Sequence, residues 1–251
     1  MADRAGIQGF DATLQAVRGC SPVSAGCDNC FAERVAHRLG SHPGPTGAAY
    51  RGLTRLDADG RPRWTGAVRA AAPDGLDVSR WLRPRRILLG TMGDVFHFAM
   101  ADPFTHSILF QRMEQCRQHL FFLLTKRVRL AIGLLGRRPV LPNVLIGVSI
   151  EDQDNASHRL PALRAIAAMG WSTWVSYEPA LGPVDWAPFD FLRWLASGPE
   201  TGPGRRPSAL DWHRAARDHC RAHAIPYFYK PTPTLDGEPC RALVPLPGDR
   251  G

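Results

Sequence analysis

From residue 86 onward the chain alternates continuous apolar runs with stretches of helical periodicity, and this rhythm constrains the fold more than any other feature. The runs at 86–90, 120–124, 143–148, 172–176, 191–196 and 225–229 place apolar side chains at successive positions. A strand with one buried face would alternate apolar and polar residues. A continuous run is buried on both faces, as in a parallel sheet covered by helices. Intervening segments at about 103–118, after 127 as far as 135, and at 156–169 and 209–223 supply the covering helices. A first strand over 12–17 brings the count to about seven. The expectation is a single α/β domain over residues 1–251, a full or partial (β/α) TIM-like barrel, and 251 residues suit one such domain. Residues 41–77 break the rhythm as an irregular insertion rich in turn signals, with a hairpin expected between 53–56 and 64–70.

In barrels of this kind chemistry gathers at the carboxyl ends of the strands. Six such ends carry Asp94, Lys126, Glu151, Glu178, Glu200 and Lys230. Any one of them alone fits a salt bridge at the barrel rim, and six in register point to a shared site. The carboxylates suit an ammonium group or ribose hydroxyls, the lysines a carboxylate or phosphate. Lys126 and Lys230 are also the only lysines in a chain that otherwise uses arginine. At such positions a compact ammonium differs from a guanidinium.

Before the first helix lies Gly19-Cys20-Ser21-Pro22-Val23-Ser24-Ala25-Gly26-Cys27-Asp28-Asn29-Cys30-Phe31, a C-x6-C-x2-C loop holding three of the six cysteines. Phe31, Val35 and Leu39 recur at helical spacing, with Asp28 or Asn29 able to cap the start and Gly40 the end. At a helix N-terminus the dipole is expected to lower thiolate pKa. Three thiolates suit an iron–sulfur cluster with one coordination position open, a zinc knuckle completed by a histidine such as His37, or no metal at all. Cys116, Cys220 and Cys240 read as inert, and His97 as a packed or solvated histidine near Asp94.

Residues 1–9 lack the apolar run of an export signal, no stretch is long enough to span a bilayer, and the cysteines are clustered. A reducing, cytoplasmic setting with no membrane partner is expected. The net charge of +8 permits phosphate-bearing partners, although the arginines are scattered and read mainly as surface residues.

The cysteine loop with its continuation Ala32-Glu33-Arg34 closely resembles the signature of a bacterial and phage family of three-cysteine-motif proteins of unknown function. That family resembles an outlying branch of the radical S-adenosylmethionine (SAM) superfamily. Further stretches match in order: 64–69, 92–97, 124–127, 147–153, 176–185, 198–204 and 228–230. The resemblance implies a 4Fe–4S cluster on Cys20, Cys27 and Cys30, with SAM on the fourth iron. It also implies Phe31 packed near the cluster or adenine, and the strand-end residues in cofactor binding. The implied reaction is reductive cleavage of SAM to a 5′-deoxyadenosyl radical that abstracts hydrogen from an unidentified substrate. Nucleic acid, nucleotide, peptide or small metabolite would all serve as that substrate, with flavodoxin or ferredoxin as electron donor. Three departures stand out. The spacing differs from C-x3-C-x2-C, residues 13–17 lack a Trp-Asn-Pro run, and Gly93 and Pro199 stand where serine and glycine are expected. The competing reading is a non-catalytic module stapled by zinc or a cluster that binds nucleic acid through its arginines. Strand-end carboxylates weigh against it, because acids repel a polyanion.

Overall fold

The computed structural model describes residues 6–100 and 103–248. Seven strands form one sheet: β1 (Ala12–Leu14), β2 (Arg86–Leu89), β3 (Leu120–Thr125), β4 (Val144–Ser149), β5 (Ser172–Tyr177), β6 (Trp194–Ser197) and β7 (Tyr227–Tyr229). Their spatial order is their chain order, and every neighbouring pair is parallel. The result is a half-barrel with β1 and β7 at its two edges.

Both faces of the sheet are buried, as the continuous apolar runs require. One face presents Ile87, Phe121, Ile146 and Val175 to helices α3 (Pro103–Gln115), α4 (Val128–Leu135), α5 (Gln153–Ala168) and α6 (Leu210–Ala222). Those helices answer with Leu109, Met113, Ala131, Leu163 and Ala216. The opposite face carries Leu88, Phe122, Trp174, Trp194 and Phe228, closed over by Phe10 and Val244. Gly147 on β4 leaves the space that the Trp174 indole fills. Helix α5 begins earlier than the apolar pattern predicts, because the Asp152 carboxylate accepts from the backbone N–H of Asn155 at 2.9 Å and caps it there.

The N-terminal third follows different rules. Residues 12–17 do not form one strand, since a second ribbon pairs Val17–Arg18 antiparallel with Arg69–Ala70. The expected hairpin shifts as well. Thr54–Leu56 pairs with Pro62–Trp64, because Asp57 Oδ1 accepts from the backbone of Asp59 and Arg61 and fixes a tight turn between them. Helix α2 (Gly44–Tyr50) was not expected there; the Pro45 that signals a turn equally serves the first turn of a helix. Helix α1 (Phe31–Gly40) starts with Cys30 at the cap position, and neither Asp28 nor Asn29 caps it. Gly40 is its last helical residue, with Ser41 as the cap. A separate small core of Ala32, Ala36, Tyr50, Leu53, Trp64 and Met92 joins α1 to the insertion. Among the described residues no helix is long and apolar enough to cross a membrane.

Candidate functional site

A cavity of about 820 Å³ opens at the carboxyl ends of the strands. Cys20, Cys27, Cys30 and Phe31 line one wall. Asp94, Lys126, Glu178, Glu200 and Lys230 line the rest, and Trp64 brings the insertion to its edge. Glu151 is the exception, lying fully buried behind the wall.

The cysteine loop is seated on the strand ends by charged groups. Gly19 bridges Gly93 in parallel and donates its N–H to the Met92 carbonyl at 2.9 Å. A Cβ on Gly93 would lie 2.6 Å from the Val17 carbonyl oxygen, so the serine expected there does not fit. Arg127 donates from Nη2 to the Ser21 carbonyl (2.6 Å) and hydroxyl (2.8 Å), and from Nη1 to Cys20 Sγ (3.4 Å). Lys126 Nζ stands 3.7 Å from Cys27 Sγ. Ser24 donates to Glu151 Oε1 at 2.9 Å, and a Cβ on Gly26 would lie 2.5 Å from that same oxygen. The loop therefore rests directly on the Lys126–Glu151 pair, which only glycine allows. At its far end Asn29 Nδ2 donates to Glu200 and to the Gly204 carbonyl, and Arg206 Nη2 donates to the Ala25 carbonyl.

Burial decides the state of the free thiols. It pushes Cys20 up to about 11, helped by the Asp94 charge and opposed by Arg127. Burial also raises Cys30, although the backbone N–H groups of Glu33 and Ala32 oppose it. The expected lowering by the α1 dipole is thus outweighed, since removing a thiolate from water costs more than the helix end returns. Both are neutral thiols in the metal-free protein, and a bound metal would have to displace their protons. Cys27 lies close enough to both to act on them electrostatically. Among the described residues no group of three or more His, Cys, Asp or Glu is arranged to hold a metal ion.

All four candidate carboxylates carry ion pairs. Asp94 accepts from Arg127 (3.1 Å), the Thr125 hydroxyl, and the backbone of Phe96 and Lys126. Glu151 pairs with Lys126 at 2.6 Å and Arg159 at 2.5 Å. Glu200 pairs with Arg206, and also accepts from Asn29 and the backbone of Arg206. Burial opposes its ionisation, but those hydrogen bonds hold its carboxyl below the ordinary value. Glu178 Oε2 pairs with Lys230 at 2.5 Å and accepts from Ser176 at 2.8 Å. Its Oε1 accepts no hydrogen bond from the described residues, alone among the eight oxygens of these four carboxylates. A Cβ on Gly198 would crowd that oxygen at 2.8 Å.

Arg127, Arg159 and Arg206 are not among the site candidates that the sequence offers, since its arginines read mainly as surface residues. Arg127 and Arg159 are in fact buried. Only the position of Arg127 directly after Lys126 at a strand end could have pointed to it. His97 is packed: its Nε2 meets the Ser21 hydroxyl at 2.9 Å, and burial and Arg127 lower its pKa. Cys116, Cys220 and Cys240 are buried away from the cavity.

No curated protein and no solved structure matches the chain. Residues 4–235 match a family described as a protein of unknown function, DUF5131. With that match running through nearly its whole length, the chain belongs to this family.

Proposed function

We propose that the protein is a radical SAM-type iron–sulfur enzyme built on a partial barrel of that superfamily's kind. The observation that carries the reading is the convergence of Cys20, Cys27 and Cys30 on one cavity with the strand-end residues. Three soft thiols are a fitting donor set for such a cluster. Cys27 acts electrostatically on both Cys20 and Cys30, and a cluster would interpose its own irons and sulfides between such ligands. When bound, a cluster of this type supplies the electron that cleaves SAM to methionine and a radical able to abstract hydrogen from a substrate.

The chain's own residues have definable parts in this. Arg127 and Lys126 stand beside Cys20 and Cys27, where they offset the negative charge that coordinated thiolates carry. The Glu178–Lys230 pair is the part of the strand-end charge most open to the cavity, at 19% and 23% side-chain exposure. Glu178 Oε1 is free to accept from an ammonium group or a ribose hydroxyl, while Lys230 can turn to a carboxylate. Together they match an aminocarboxylate in sign. Asp94, Glu151 and Glu200 hold the frame, because each of their oxygens already has a donor within the protein.

Anaerobic reconstitution tests the reading: about four irons should bind per chain, as one 4Fe–4S cluster requires. Reduced, the loaded protein should convert SAM to methionine and 5′-deoxyadenosine. Cys20→Ala, Cys27→Ala or Cys30→Ala should abolish iron retention, and Cys116→Ala and Cys220→Ala should not. Stoichiometric zinc without iron uptake would overturn it.

A further inference from the structure

Next to the main cavity, sharing Asn29 and Cys30 with it, lies a second hollow of about 500 Å³. Its lining includes Arg34, Arg61, Arg63 and Arg206 against only two carboxylates, Asp28 and Glu33. The two acids pair with Arg63 and Arg206 and leave Arg34 and Arg61 uncompensated. Glu33 is buried and engaged by the Trp64 N–H (2.9 Å) and by Arg63 (3.4 Å), while Asp28 reaches Arg206 only at 3.5 Å. Arg63 and Arg206 are held in place by internal partners, Asp57 and Glu200 among them. The guanidinium groups of Arg34 and Arg61 have no hydrogen bond or ion pair among the described residues; the only partner of Arg61 near by, Asp57, is held through the Arg61 backbone. The Arg34 guanidinium lies against Gly202, whose lack of a side chain makes its place.

Unpaired guanidinium groups in a concave wall form an anion site, and their planar fork matches phosphate. Two further observations narrow the anion. Asn29 and Cys30 line both hollows, so a molecule held in the arginine cleft can extend past them toward the thiols. Phe31 lines the main cavity with 45% of its surface exposed, three residues from Arg34 and so on the neighbouring face of α1. An exposed ring beside a phosphate site is a stacking platform for a base.

We propose that this cleft binds the phosphate of a nucleotide or nucleic-acid strand, which is the substrate whose reacting part enters the main cavity. The substrate role rests on the enzyme reading above; the binding does not, and it can be tested without iron. A labelled short single-stranded oligonucleotide should bind the full-length chain saturably in fluorescence anisotropy, with or without reconstituted iron. Arg34→Gln and Arg61→Gln should each weaken binding about tenfold, as expected for a lost hydrogen bond to a charged group. Each should also reduce the salt slope by about one. Arg117→Gln, which removes the same charge from an exposed site elsewhere, should leave affinity within about twofold. Competition by a nucleoside monophosphate but not by the unphosphorylated nucleoside identifies a nucleotide ligand. Binding of the strand without competition by the monophosphate identifies nucleic acid. Equal competition by the unphosphorylated nucleoside, equal weakening by Arg117→Gln, or no saturable binding overturns the proposal. SAM cleavage without oligonucleotide binding would remove this inference alone, and oligonucleotide binding without iron uptake would remove the enzyme reading and the substrate role while leaving the binding site.

Discussion

The chain's two lysines make the same chemical contact in two different settings. Lys126 meets Glu151 and Lys230 meets Glu178, at 2.6 and 2.5 Å. The first pair is sealed on its acid side: Glu151 is fully buried, Arg159 takes its other oxygen, and the cysteine loop lies on top through Ser24 and Gly26, while Lys126 reaches the cavity wall. The second pair opens on the cavity and leaves one carboxylate oxygen without a donor among the described residues. A buried pair that also carries a loop is a foundation, and a half-open pair with spare hydrogen-bonding capacity is a place for something to bind. Position on the sheet decides between them, because β4 is flanked on both sides by long strands whereas Lys230 follows the edge strand β7.

Glu151→Gln should separate the two most sharply. It leaves the buried Arg159 and the half-buried Lys126 without a counter-charge, a loss on the order of 3–5 kcal/mol in urea unfolding. If it costs no more than the same change at Glu178, the foundation role is wrong. Next in size is a pH effect beneath the open pair. His213 is buried between Tyr177 and Tyr229 and contacts the hydroxyls of Ser197 and Ser208. Burial lowers its pKa from 6.5 to about 4, with Glu178 opposing. A depressed histidine pKa means the unfolded chain binds the proton first. Stability should therefore fall as pH drops from about 6.5 toward 4, by about 3 kcal/mol in all. In His213→Gln that slope should flatten; an unchanged slope would place the titration elsewhere. Glu178→Gln should have the smallest effect on stability, under about 1 kcal/mol for a part-exposed pair. On the proposed reading it should weaken SAM binding to the iron-loaded protein about tenfold, the loss of one charge-assisted hydrogen bond. Calorimetry showing unaltered SAM affinity would leave the open pair without its assigned task.

The regular half of the molecule was legible in the sequence because its strands are buried on both faces, and burial on both faces writes itself as runs such as 120–124. The strand ends followed from those runs, and with them five of the cavity's charged residues. Side-chain partners could not be read in the same way. Glu151 looks like Glu178 in sequence, and only the fold shows that Arg159, eight residues on along α5, takes its second oxygen. The insertion was misread for a related reason. Its strand pairing is set by the Asp57 carboxylate closing a turn, not by apolar pattern. The thiol pKa values depended on burial, which local helix geometry does not report.

The seat of the cysteine loop has a consequence for the order of events during folding. Its supports lie ever further along the chain: Arg127 is 106 residues from Ser21, Glu151 127 from Ser24, Glu200 171 from Asn29, and Arg206 181 from Ala25. Contacts of such long separation are late ones, because each closes a large loop of chain before it returns any energy. The loop emerges before any of these supports, the first of which is Arg127, and its seat is complete only once Arg206, just ahead of α6, has been made. Its thiols therefore wait, unseated, while the segments from Arg127 to Arg206 are made. The final geometry of this loop is a product of the C-terminal half's folding.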